Sequence, residues 1–181
     1  MSQPTIITPE GGFHNKDLKQ ARTRLLKGNT YKDVSTICVI PTRGVIPARV
    51  LQSWFSLIAP MNQKFQRIFM THMEVGEAYE QAVAFILANP ELSTWKYMLT
   101  LEEDNMPPPD GLLKLLEAIE SGPYDAVGGL YWTKGPEGQP MCYGQKGVLP
   151  LNFIPQVPPA DIIHPCNGLG MGFTLFRLSI F

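Results

Sequence analysis

Charge is scarce in this sequence. Asp, Glu, Lys and Arg make up 17% of its 181 residues and nearly cancel, leaving a formal net charge of −1. No long basic block occurs, so the many Lys/Arg–phosphate contacts behind sequence-independent attraction to duplex nucleic acid have no source here. Cysteine is scarcer still. Cys38, Cys142 and Cys166 form no close pair, which argues against a disulfide framework and for a reducing compartment. His164 and Cys166 supply half of a zinc ligand set, and no second pair stands at ligand spacing. The opening MSQPTIITPEGGFHNKD lacks the charged start and apolar stretch of a signal peptide. No apolar run approaches the ~20 residues that span a bilayer. A cytoplasmic globular chain is the expectation. With 44% hydrophobic residues, its length suits one buried core rather than two.

The hydrophobic pattern alternates between strand and helix. Residues 1–35 are polar and irregular and read as a leader, with one helical turn over residues 22–28. TICVI (Thr36–Ile40) is apolar and rich in β-branched residues, as a strand buried on both faces must be, and Pro41 is expected to end it. Ile46–Ile58 and Gly76–Asn89 carry apolar residues at helical spacing. Arg67–Thr71 and Lys96–Leu101 read as the second and third strands. Asp110 is placed to cap the helix GLLKLLEAIES, and Ala126–Trp132 reads as a fourth strand. Such alternation predicts an α/β domain over residues 36–181, with a mostly parallel central sheet and helices on both faces. Ligands of such sheets bind at the carboxyl ends of the strands, which directs attention to PTRG, THME, EEDN and WTKG.

Between residues 135 and 172 the texture changes to seven Gly and seven Pro, with only Glu137, Lys146 and Asp161 charged. A loop that long predicts an irregular, functional border to the same cleft. The closing GFTLFRLSIF reads as an apolar strand that stops abruptly, as in a chain cut short.

The segment Glu102-Glu103-Asp104-Asn105 holds the densest chemistry. If the strand runs on, side chains alternate, so Glu102 and Asp104 share a face while Glu103 turns away. Two carboxylates converging at a strand tip suit a hard divalent cation with positions left open for phosphate. The competing reading is a solvated acidic turn.

Four pieces in order resemble a GT-A glycosyltransferase of the family-2-like, nucleotide-sugar-dependent kind with a Rossmann-like domain. They are TICVIPTRG (36–44), YMLTLEEDNMPPPDGLLKLLEAI (97–119), DAVGGLYW (125–132) and NGLGMGFTLFR (167–177). The resemblance spans residues 36–181. It implies Mn²⁺ or Mg²⁺ held by Glu102 and Asp104 at the position of the family's D-x-D motif. It also implies a nucleotide-diphosphate sugar bordered by Pro41, Thr42, Arg43, Glu74, Glu103, Trp132 and Lys134. Arg43 is equally readable as a surface charge, and His72 and Glu74 as loop residues. Trp132 is either a stacking platform for a sugar or a buried aromatic. Asn105 either meets the sugar or caps the turn, and Gly168, Gly170 and Gly172 either admit a ligand or make a tight turn.

Two departures stand out. Glu replaces the first Asp of the motif, and the family's later elements, an acidic base and a metal-binding His, have no counterpart before Phe181. The expected activity is transfer of a sugar to an acceptor hydroxyl on a glycan, protein or modified nucleobase. The alternatives are a nucleotidyltransferase and a non-catalytic nucleotide-sugar-binding module.

Overall fold

The computed structural model describes Thr23 and residues 31–61, 63–159 and 162–181. The helical turn over 22–28 and most of the leader therefore lie outside the described residues. Tyr31, Val34 and Ser35 belong to the body. Val34 and Ser35 are buried, and the Tyr31 hydroxyl donates to Glu117 at 2.7 Å.

The chain runs β1 (Thr36–Thr42), α1 (Ala48–Ser56), β2 (Phe65–Thr71), α2 (Val75–Ala88), β3 (Tyr97–Leu101), α3 (Gly111–Glu120) and β4 (Ala126–Gly128). It continues through β5 (Cys142–Gln145), β6 (Cys166–Leu169) and β7 (Phe173–Arg177), with 3₁₀ turns at Leu92–Thr94 and Leu178–Ile180. Five strands form one sheet in the order β2-β1-β3-β7-β4, and β5 pairs with β6 in a small second sheet.

Strand alternation divides the core. On one face Cys38, Ile40, Tyr97, Leu99 and Leu101 pack against Val50 and Trp54 of α1 and against Leu112, Leu115, Leu116 and Ile119 of α3. On the other, Ile37, Val39 and Met98 pack against Ala82 and Ile86 of α2. Burial on both faces is why β1 and β3 are continuous apolar runs: all seven residues of β1 and all five of β3 are buried.

The structure corrects several expectations. Pro41 does not end β1. Pairing with β3 stops at Val39↔Thr100, whereas the Thr42 carbonyl still faces β2 and accepts the His72 N–H at 3.4 Å. Pro41 thus directs its missing N–H beyond the end of the β3 ladder, where it interrupts nothing. The sheet is mostly parallel, as expected, with one reversed strand: β2, β1, β3 and β4 share a direction, and β7 lies antiparallel to both β3 and β4. A parallel return needs a helix-length crossover; among the described residues none stands between β4 and β7, so the chain comes back down from the edge it left. The fourth strand stops at Gly128, not Trp132. The 135–172 stretch, though mostly irregular, holds β5 and β6. Asp110 occupies the cap position of α3 without a side-chain cap hydrogen bond; it is fully buried and pairs with Lys114 Nζ at 3.2 Å.

Candidate functional site

β1 and β3 are neighbouring parallel strands, and their carboxyl ends open on one edge of the sheet. Past Leu101 the chain turns, with Asn105 N–H bonded to the Glu102 carbonyl at 3.0 Å. Helix α1 clamps this turn from one side. Trp54 Nε1 donates to the Asn105 carbonyl at 2.9 Å, and Ser53 Oγ donates to that of Pro107 at 2.8 Å. From the other side the Gly172 carbonyl accepts the Glu102 N–H at 3.1 Å. The acidic turn is therefore held at its backbone, which leaves its side chains to be sorted by their neighbours.

The three carboxylates are sorted differently. Glu103 turns to β1 and accepts from Thr42 Oγ1 (2.7 Å), Arg43 N–H (2.9 Å) and Arg43 Nε (2.6 Å). Burial alone would raise its pKa, but the Thr42 and Arg43 hydrogen bonds with the Arg43 charge outweigh it and hold the carboxyl below the usual range. Glu102 is half-buried, and its pKa is raised first by that burial and then by the charge of Asp104, against a hydrogen bond from Tyr79. Asp104 is exposed and meets Lys134 Nζ at 2.9 Å and Asn105 Nδ2 at 3.1 Å. The strand ends at Leu101, so alternation does not set these directions; the turn sends Glu103 to β1, and the charge of Asp104 acts on Glu102.

The glycine segment closes the rim. The Tyr131 hydroxyl accepts the Gly172 N–H at 2.7 Å, and a Cβ at Gly172 would stand 2.6 Å from the Tyr131 ring and collide with Asn105 Nδ2. A Cβ at Gly170 would lie 2.8 Å from Met141 Cβ. These glycines serve close approach of the chain to itself, and Gly168 likewise packs on Phe153.

Tyr79 was missed as a site residue in the sequence, and Tyr131 was noticed there only as the neighbour of Trp132. The Tyr79 hydroxyl reaches Glu102 and, at 3.4 Å, the Met171 carbonyl; burial first, then Glu102, push its pKa up. Its partners lie far away in the chain, so helical periodicity marks Tyr79 only as a core-facing aromatic.

Of the other predicted residues, Pro41 and Thr42 are buried at the end of β1, while the Arg43 side chain is 89% exposed. Glu74 lies exposed at the start of α2, with no hydrogen bond or ion pair joining it to the acidic turn. The reading of Trp132 as a buried aromatic is overturned, because it is 49% exposed and its backbone bridges Pro140. A cleft of about 210 Å³, bordered by Asn105, Pro108, Lys114, Leu130, Tyr131 and Phe173, opens beside the turn. Cys38 is buried, which pushes its thiol up to about 12 and leaves it inert.

Among the described residues no group of three or more His, Cys, Asp and Glu gathers as a metal cage. Glu102 and Asp104 are carboxylate oxygen donors, the chemistry that suits a hard cation such as Mg²⁺ or Mn²⁺. Asp104 carries an ammonium, and its charge raises the pKa of Glu102. No family model matches this chain, and no curated protein or solved structure matches it.

Proposed function

We propose that this chain is the donor-binding domain of a GT-A glycosyltransferase, holding a nucleotide-diphosphate sugar through Mn²⁺ or Mg²⁺ at Glu102 and Asp104. The observation that carries the reading is the pair itself. Two carboxylates act on one another at the carboxyl end of a central strand, with the third drawn off by Arg43. A cation held by Glu102 and Asp104 would supply positive charge against that which builds on a departing nucleoside diphosphate.

The chain's own groups have distinct parts in this reading. Glu102 and Asp104 bind the cation. Thr42 and Glu103 fix the loop that carries Arg43 toward the nucleotide. Lys134, paired with Asp104, stands at the same rim, and exposed Trp132 offers a sugar ring a stacking surface. Asn105, held by Trp54 and bonded to Asp104, orients that carboxylate.

A non-catalytic binding module is the second reading, favoured by one observation. Glu103 is committed to Thr42 and Arg43, so the turn keeps no third carboxylate for proton transfer. Incubation with a panel of nucleotide-sugars and Mn²⁺ separates the possibilities. Release of nucleoside diphosphate supports transfer, release of pyrophosphate supports nucleotidyl transfer, and saturable binding without either supports the module.

A further inference from the structure

Among the described residues, one ammonium meets Asp104 of the acidic pair, and a hairpin brings it there. Lys134 Nζ lies 2.9 Å from Asp104 Oδ2, with the lysine side chain 78% and the aspartate 43% exposed. Lys134 stands at the tip of a closed hairpin over residues 131–141. Met141 N–H donates to the Tyr131 carbonyl at 2.8 Å, and Trp132 bridges Pro140. Thr133 exchanges two bonds with Gln139, through N–H to carbonyl at 2.9 Å and N–H to Oγ1 at 2.8 Å. Gly135, at φ +112°, makes the sharp turn directly after Lys134, a conformation open to glycine. At the hairpin's base the Tyr131 hydroxyl is bonded to Gly172, next to the Glu102 backbone. The hairpin is thus anchored on the rim and projects a single cation over Asp104.

We propose that Lys134 is a built-in counter-ion for Asp104, displaced when a divalent cation enters and then turned onto the donor's diphosphate. This rests on the cation-binding reading of Glu102 and Asp104. Without a counter-ion the two carboxylates repel one another and repel any phosphate. With the divalent cation seated, the ammonium meets like charge at Asp104. Its exposed, flexible stem lets it leave, and phosphate oxygens are its natural partners. An exposed pair of this kind is worth no more than about fivefold in an equilibrium constant, so a carboxylate-bound dication displaces it readily. One lysine then opposes the metal before the diphosphate arrives and supports the diphosphate afterwards.

That double role has a signature of opposite signs. Full-length chain and its Lys134→Gln variant are titrated with Mn²⁺ alone, read as free Mn²⁺ by electron paramagnetic resonance. UDP and GDP are then titrated calorimetrically in saturating Mn²⁺. Lys134→Gln is expected to bind Mn²⁺ about fivefold more tightly and the nucleoside diphosphate about tenfold more weakly. Lys134→Arg should restore diphosphate binding. Equal Mn²⁺ affinity in wild type and Lys134→Gln overturns the counter-ion role while leaving the cation site standing. Tighter Mn²⁺ with unchanged diphosphate affinity overturns the transfer to phosphate. No Mn²⁺ binding by any of the three removes the cation reading itself, and this inference with it.

Discussion

Arg43 and Glu103 face each other across the carboxyl ends of β1 and β3, with Nε donating to Oε1 at 2.6 Å and the Arg43 N–H to Oε2 at 2.9 Å. The contact fastens the loop after β1 to the turn after β3. It also removes from the acidic turn the one carboxylate that would otherwise crowd Glu102 and Asp104.

That fastening predicts an acid-side stability term. The folded-state pKa of Glu103 is depressed, so its contribution is present above the unfolded value near 4.5 and is lost as pH falls through the folded value. Glu103→Gln should cost about 1 kcal/mol at neutral pH, the low end for charged hydrogen bonds because Arg43 is 89% exposed. Urea denaturation from pH 7 downward checks this, with the difference between the two proteins shrinking as pH falls below the unfolded value and through the folded one.

Glu102 predicts the reverse sign. Burial and then Asp104 raise its folded-state pKa, so ionising it opposes folding. The penalty is absent below the unfolded value and complete above the folded one. Glu102→Gln should therefore melt higher than wild type at pH 7 and equally at acid pH, while losing Mn²⁺-dependent nucleotide binding. A variant that melts lower at pH 7 would show that Glu102 stabilises the fold instead.

Metal-dependent binding should rank Asp104 above Glu103. Asp104→Asn keeps the shape and removes a charge from the cation's shell, so nucleoside diphosphate affinity should fall tenfold or more, on the order of 1.4 kcal/mol. Calorimetry with Mn²⁺ and with EDTA reads it. Binding that is equal with and without metal, or a larger loss at Glu103, counts against the proposed function.

Gly172→Ala tests the rim. Its Cβ meets the Tyr131 ring and Asn105 Nδ2. The overpacking should cost about 1–3 kcal/mol and weaken nucleotide binding by shifting the Asn105 that orients Asp104. Thermal melts with and without Mn²⁺ and UDP separate the two effects. A variant with an unchanged melt and unchanged binding would place no demand on this close approach.

Sequence pattern revealed most elements because each carries its own periodicity. TICVI and YMLTL are uniformly apolar since both faces of β1 and β3 are covered, and α3 repeats its leucines on the side that meets them. Pro41 misled because a proline ends a strand only where its N–H is needed, and pairing on its β3 side has already stopped. Asp110 misled because a capping residue and a buried partner of Lys114 look alike in sequence.

By itself the sequence determined the elements of the sheet and the position of the acidic turn at the end of a buried strand, since both follow from local pattern. The reversal of β7 and its place between β3 and β4 were decided only in three dimensions. β7 enters antiparallel between β3 and β4 because of the path by which the chain returns, and no periodicity records a path. The same holds for the partners of the carboxylates. Arg43 and Glu103 are 60 residues apart, and Gly172 meets a tyrosine hydroxyl 41 residues before it. Electrostatic and steric neighbours are properties of distance in space, and only the packed sheet brings them within reach.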